Sequence, residues 1–150
     1  MPHAFIVRAA DWKHDEAAIA QVRRTVFIEE QGVPEALEWE PIDAECHWFV
    51  ALTAEQELIG IVRLTDVGRI GRMAVRLDRR RHGVGRALLD AALNFAQALG
   101  FGQVHLSAQT HAIPFYARRG FYAEGPEYLD AGIPHRSMTL ILNNEVKDLA

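Results

Sequence analysis

Arg69-Ile-Gly-Arg-Met-Ala-Val-Arg-Leu-Asp-Arg-Arg-Arg-His-Gly-Val-Gly-Arg-Ala-Leu-Leu-Asp90 carries the strongest structural signal in the chain. Arg69 to Arg76 alternates as a strand, weakened locally by Gly71. A basic loop follows, then two glycines, then a long helix over Val84 to Leu99. Ala87, Leu88, Ala91, Ala92, Phe95 and Leu99 form one apolar stripe on that helix. The first turn of a helix carries unsatisfied N–H groups and a partial positive charge. No Ser, Thr, Asp or Asn stands in the four residues before Val84 to cap them. Gly83 and Gly85 let a ligand approach this backbone closely, so the helix start reads as an anion site. Arg81 and Arg86 can add charge-assisted hydrogen bonds.

Two common phosphate loops are excluded at named residues. A dinucleotide fingerprint needs a third glycine where Leu88 stands, and a Walker A loop needs a Gly-Lys-Ser/Thr ending that is absent.

Outward from this segment, Ala4 to Arg8 reads as a short strand. Asp11 or Asp15 can cap a helix in which Ile19, Val22, Val26 and Phe27 recur at helical spacing. Gly32 and Pro34 end that helix, and Glu35 to Glu45 reads as an acidic connector. His47 to Thr53 and Leu58 to Thr65 form a hairpin around Glu55-Gln56. Beyond the long helix, Gly100 is a stop and Val104 to Ala108 a strand. Ala112 to Arg118 is a short helix with Pro114 in its first turn. Phe121 to Ala123 begins a strand, Pro134 to Leu142 is the last one, and the residues after Asn143 read as a solvated tail. The order implies an α+β layered structure: a mixed sheet with helices on its faces.

The chain has 150 residues, which fits a single domain over 1–150. A net charge of −4, with no extended basic face, points away from nucleic acid. Cys46 is the only cysteine, so no internal disulfide or CxxC motif exists. The seven histidines show no HExxH-type spacing, and no metal is expected. The N-terminus lacks a signal-peptide pattern, and no apolar run approaches the roughly 18 residues of a membrane span. The expectation is a cytoplasmic protein without a membrane partner.

Arg80-Arg81-His82-Gly83-Val84-Gly85 resembles the Q/R-x-x-G-x-G/A acetyl-CoA motif of the GCN5-related N-acetyltransferase (GNAT) family. Gln109-Thr-His-Ala112-Ile-Pro-Phe115-Tyr116-Ala-Arg-Arg-Gly120-Phe121 resembles the family's second signature, N-x-x-A-x-x-F-Y-x-x-x-G-F, with Gln109 where Asn is usual. Val26-Phe-Ile-Glu-Glu-Gln-Gly-Val-Pro34 is similar to the first helix of a small bacterial subgroup.

The resemblance implies a central, mixed, mostly antiparallel twisted sheet of about six to seven strands flanked by helices on both faces. It implies acetyl-CoA as cosubstrate. The strand of Met73, Ala74 and Val75 would splay from its neighbour. Backbone groups of Met73 and Val75 would then pair with the pantetheine arm, and one N–H would polarise the thioester. Arg80, Arg81, His82, Gly83, Val84, Gly85 and Arg86 would hold the pyrophosphate. Gln109, Ala112, Phe115 and Tyr116 would line the same site, with Tyr116 the general acid.

A base must deprotonate the attacking amine. Glu29, Glu30, Glu38, Glu40, Asp43 and Glu45 are candidates, any of which can instead be a solvated acidic face. Glu29 and Glu30 are favoured because they end the helix that borders the acceptor in such proteins. An acidic wall would suit a cationic amine. His111 and His135 can line the same cleft. The expected acceptor is a small-molecule amine, and a homodimer is possible. Two alternatives remain: a non-catalytic acyl-CoA-binding module, and an acyltransferase like the autoinducer synthases, suggested by Arg23, Phe27, Trp39 and Asp43.

Overall fold

A computed structural model describes residues 3–142. Seven strands form one sheet in the order β1-β2-β3-β4-β5-β7-β6. They are β1 (Phe5–Ala9), β2 (His47–Thr53), β3 (Leu58–Leu64), β4 (Arg69–Val75), β5 (Gln103–Gln109), β6 (Tyr122–Asp130) and β7 (Ile133–Ile141). All neighbours are antiparallel except β4 and β5. The helices are α1 (Trp12–Arg23), α2 (Glu35–Glu38), α3 (Val84–Ala98) and α4 (Ile113–Ala117). This is the expected mixed, mostly antiparallel architecture.

Alternation along the strands divides the core into two layers. Trp48, Val50 and Leu52 of β2 face α1, joining Ile19, Val22, Val26 and Phe27. Phe49 and Ala51 face the other way, with Leu88, Leu89, Ala92 and Ala96 of α3. Leu88 and Leu89 are fully buried, and burial of each such side chain stabilises by about 1.5–3 kcal/mol. The approach of α3 to β3 depends on Gly60, where a Cβ would come within 3.0 Å of Leu88 Cδ1 and 3.1 Å of Val84 Cγ1.

Three local readings are corrected. Neither Asp11 nor Asp15 caps α1 through N2 or N3: Asp11 occupies the cap position without a side-chain bond. Asp15 instead reaches back to accept the Asp11 N–H at 2.9 Å and pairs with Arg8 at 2.7 Å. The first helix does not end as a plain α-helix; it widens into a π-helical segment, Arg24–Glu30, before Gly32 turns at φ 74°. The acidic connector is not a solvated loop. It folds as α2 and a 3-10 turn, Pro41–Glu45, around buried charges. The tail after Asn143 lies outside the described residues.

That charged cluster is compact. Arg23, 1% exposed, donates from Nε to Glu38 Oε2 and from Nη1 to Asp43 Oδ2, both at 2.8 Å. Arg63 pairs with Asp43 at 2.8 Å and Glu40 at 2.7 Å. Arg72 closes on Glu38 at 2.8 Å while its guanidinium lies 4.1 Å over the Phe27 ring. Burial opposes charge on Asp43, but the Glu40 backbone N–H and the Arg23 and Arg63 guanidiniums outweigh it and hold its carboxyl below the usual range.

Candidate active site

The parallel pairing of β4 with β5 covers only Arg69 with His105 and Ile70 with Leu106. Beyond it the strands part. The register of β4 against β3 shifts between Ile61 and Arg63, and Arg72, opposite that shift, sits at φ 44°. A bulge of this kind turns the strand, and the Arg72–Glu38 pair holds it. The Arg76 N–H donates to Ile59 O at 2.9 Å, so the alternate residues Ala74 and Arg76 face β3. The backbone groups of Met73 and Val75 therefore face the gap.

A cavity of about 650 Å³ fills the gap. One end reaches the start of α3. Gly83 takes φ 84°, with open space where a Cβ would be, and no side chain caps the helix. The N–H groups of the first turn are thus presented to the cavity, which Val84, Gly85 and Arg86 line. Among the described residues neither Arg81 nor Arg86 has an ion-pair partner, and both line the cavity. A phosphate-sized anion fits this set: free N–H donors, an open cradle at Gly83 and two guanidiniums.

Tyr116 borders the cavity, packed edge-on against Phe115 and Phe121 with centroids 5.0 and 5.9 Å away. Its hydroxyl points to Met73 Sδ at 3.9 Å. Burial pushes the phenol up to about 12. The other end of the cavity is lined by Phe27, Gln31, Val33, Ser107, Gln109 and His135, among others. The Gln109 amide donates to Gln31 Oε1 at 3.0 Å and its oxygen meets His111 Nε2 at 2.8 Å.

The sequence-derived site residues thus divide. Met73, Ala74, Val75, Arg80, Arg81, Gly83, Val84, Gly85, Arg86, Gln109, Ala112, Phe115 and Tyr116 all border the cavity. His82 does not: its ring stacks on His3 with centroids 3.7 Å apart. Arg80 borders the cavity but its guanidinium is engaged, by Glu30 at 2.7 Å through both terminal nitrogens and by Val75 O at 2.8 Å through Nε. It braces the loop rather than offering a free charge. Glu29 and Glu30 lie outside the cavity lining, Glu29 exposed to solvent and Glu30 committed to Arg80, which holds its carboxyl below the usual range. Neither is placed to act as base. Glu38, Glu40, Asp43 and Glu45 are also outside it, so the expected acidic acceptor wall is replaced by a largely apolar one in which Asp130 is the acidic residue. Cys46, whose thiol burial pushes up, is unsuited to nucleophilic work.

A family model described as an acetyltransferase (GNAT) domain matches residues 10–142. The chain belongs to the GNAT acetyltransferase family. This GNAT protein is 36% identical over 120 residues to the uncharacterized N-acetyltransferase YjcF of Bacillus subtilis, covering 78% of this chain and 86% of the relative. It superposes on the crystal structure of an acyl-CoA N-acyltransferase from Pseudomonas aeruginosa with a TM-score of 0.81 and 31% identity, over 91% of this chain and 99% of that one. It is an N-acetyltransferase of the GNAT type. A CoA-dependent acyl-homoserine lactone synthase, BjaI, shares the fold at a TM-score of 0.76 and 18% identity, over 97% of this chain and 87% of that one. The residues that suggested such a synthase have structural partners in this GNAT domain. Arg23 pairs with Asp43 and lies 4.9 Å over the Trp39 ring, and Phe27 packs under Arg72. No helix among the described residues is long and apolar enough to cross a membrane.

Proposed function

We propose that the protein transfers acetyl from acetyl-CoA to the amine of a small, largely apolar molecule. The observation that carries this reading is the β4–β5 gap, which opens after two paired residues and runs from the uncapped α3 terminus past Tyr116. The α3 N–H groups, Arg81 and Arg86 receive the pyrophosphate. Met73 and the Val75 N–H offer strand-like hydrogen bonds to the pantetheine amides, and an N–H at this level polarises the thioester carbonyl. Tyr116 lies where the sulfur departs and donates a hydrogen bond to the developing thiolate.

Direct attack on the thioester needs a neutral amine. The acceptor end, walled by Phe27, Val33 and Leu37 with Gln31 and Gln109 as polar anchors, suits an amine on an apolar body better than a polycation. A thiol-release screen with arylalkyl amines, polyamines and amino acids at fixed acetyl-CoA tests this. Turnover confined to polyamines would contradict the acceptor assignment.

A further inference from the structure

We propose that His135 is the general base that takes the proton from the attacking amine, through Nε2. The assignment rests on the acetyl-CoA reading above and deepens it. His135 is opposite Gln109 across β5–β7 and opposite Tyr128 across β6–β7. Directly opposed residues share a face of a sheet. In β5, Val104, Leu106 and Ala108 belong to the α3-side core, so Ser107 and Gln109, and with them His135, project from the other face. Tyr116 packs with the α3-side core. The two residues therefore border one cavity from opposite faces of the sheet, and the β4–β5 gap connects those faces. For a carbonyl lodged in the gap, this lets an amine held on the His135 side add to one face of the carbonyl carbon while the sulfur departs toward Tyr116.

The ring is set for the task. His135 is buried, 8% exposed, and borders the cavity. Nδ1 lies 2.6 Å from Ile133 O; a carbonyl only accepts, so Nδ1 carries the proton. In the neutral imidazole Nε2 then holds the lone pair, with no protein hydrogen bond among the described residues. Stacking on Tyr128, centroids 6.1 Å apart, fixes the ring plane, and Tyr128 itself is anchored by its hydroxyl on Ser107. Tyr128 on β6 stacks on the ring, and Asp130 at the hairpin, His111 after β5 and Arg72 on β4 border the same cavity. Of these, Arg72 is engaged by Glu38. His111 is exposed, and its Nε2 donates to the Gln109 oxygen, since the amide nitrogen of Gln109 is used on Gln31.

In the step itself the N–C bond forms by addition to the carbonyl carbon, the carbonyl π pair moves to oxygen, and the C–S bond breaks as that pair returns and the tetrahedral intermediate collapses. The electron pair leaves on sulfur, Nε2 takes the nitrogen's proton, and solvent later protonates the thiolate and relieves the imidazolium.

Acetyl-CoA alone is a sufficient probe, with water as the surrogate acceptor: Nε2 takes its proton and the products are acetate and CoA. In H135Q the enzyme-dependent hydrolysis is expected to fall about 100-fold. The acidic limb of its pH profile should vanish, and added imidazole should restore part of the rate in H135A. Calorimetry should give the same acetyl-CoA affinity as the native protein. Native protein that binds acetyl-CoA while H135Q keeps the rate and the limb overturns the base assignment alone. Hydrolysis no faster than in buffer, or a loss found in H111Q instead, also overturns it. Absence of acetyl-CoA binding by the native protein would strike the underlying reading. Should H135Q and H135A fold poorly, side-chain 15N NMR of the native protein decides: the neutral ring is expected to carry its proton on Nδ1, and an Nε2–H form refutes the proposal.

Discussion

Tyr116→Phe removes one oxygen from the cavity wall and little else. That hydroxyl makes a single 3.9 Å contact, with Met73 sulfur, and the ring's packing on Phe115 and Phe121 is kept. The effect on catalysis can be worked from the phenol's position. Burial pushes it up to about 12, whereas a thiol titrates at about 8.5. Complete transfer to a free thiolate would run uphill by several kcal/mol. In the proposed mechanism Tyr116 is therefore expected to act chiefly as a hydrogen-bond donor to charge developing on sulfur, rather than as an acid that gives its proton away. A hydrogen bond to a charged group contributes about 1.5–3 kcal/mol, so turnover should fall roughly 10- to 150-fold. Thiol release at saturating acetyl-CoA measures the fall, and calorimetry should show nearly unchanged acetyl-CoA affinity. Burial favours the protonated phenol, so a basic limb due to Tyr116 should appear only well above the ordinary phenol range. Unchanged turnover, or a limb near pH 9 that disappears in Tyr116→Phe, would refute the reasoning.

Gly85→Val should weaken acetyl-CoA binding at least tenfold with little loss of stability. Its Cβ would meet Phe115 at an ordinary 3.5 Å, while the branches fill the space where a phosphate approaches; unchanged affinity by calorimetry would misplace the pyrophosphate. Glu38→Ala strands Arg23 and Arg72 beside a buried void, a loss expected to cost about 3–5 kcal/mol. That corresponds to a melting temperature lower by roughly 6–20 °C, and a drop under 2 °C would show the cluster to be incidental. Glu30, Asp15 and Asp43 all have carboxyls held below their ordinary values by arginine or backbone partners. Their stabilisation is complete above about pH 4 and is lost as pH falls through the depressed folded values. Urea midpoints measured from pH 6 to 2.5 should fall steeply below pH 4, and less steeply in Asp43→Asn. A flat profile would contradict the pairing.

The helix over Val84 to Ala98 and the strand before it were legible because periodicity and glycine placement are local properties of the chain. The same holds for the uncapped α3 start, since a missing cap is visible in four residues. What sequence reasoning missed is non-local. The acids of the connector read as candidate bases or a solvated face because nothing in their own neighbourhood shows that Arg23, Arg63 and Arg72 converge on Glu38 and Asp43 from three other elements. Glu30 read as a base because its tie to Arg80 spans 50 positions. That His135 can line the cleft was expected, but its place opposite Gln109 depends on the β5–β7 register, and its tautomer on a carbonyl two residues away at the start of the same strand. One signal was present: apart from His135 and the two residues flanking it, the last strand is built of apolar and hydroxyl residues.

The proposed function requires the gap between β4 and β5 to be a cleft for acetyl-CoA. Calorimetric titration of acetyl-CoA into the purified protein, with ATP and NAD as controls, tests it most directly. Saturable, one-to-one binding of acetyl-CoA is expected, at least tenfold weaker in Gly85→Val and kept in Tyr116→Phe, with no binding of either control. No heat of binding at high micromolar acetyl-CoA, or equal binding of ATP, would contradict it.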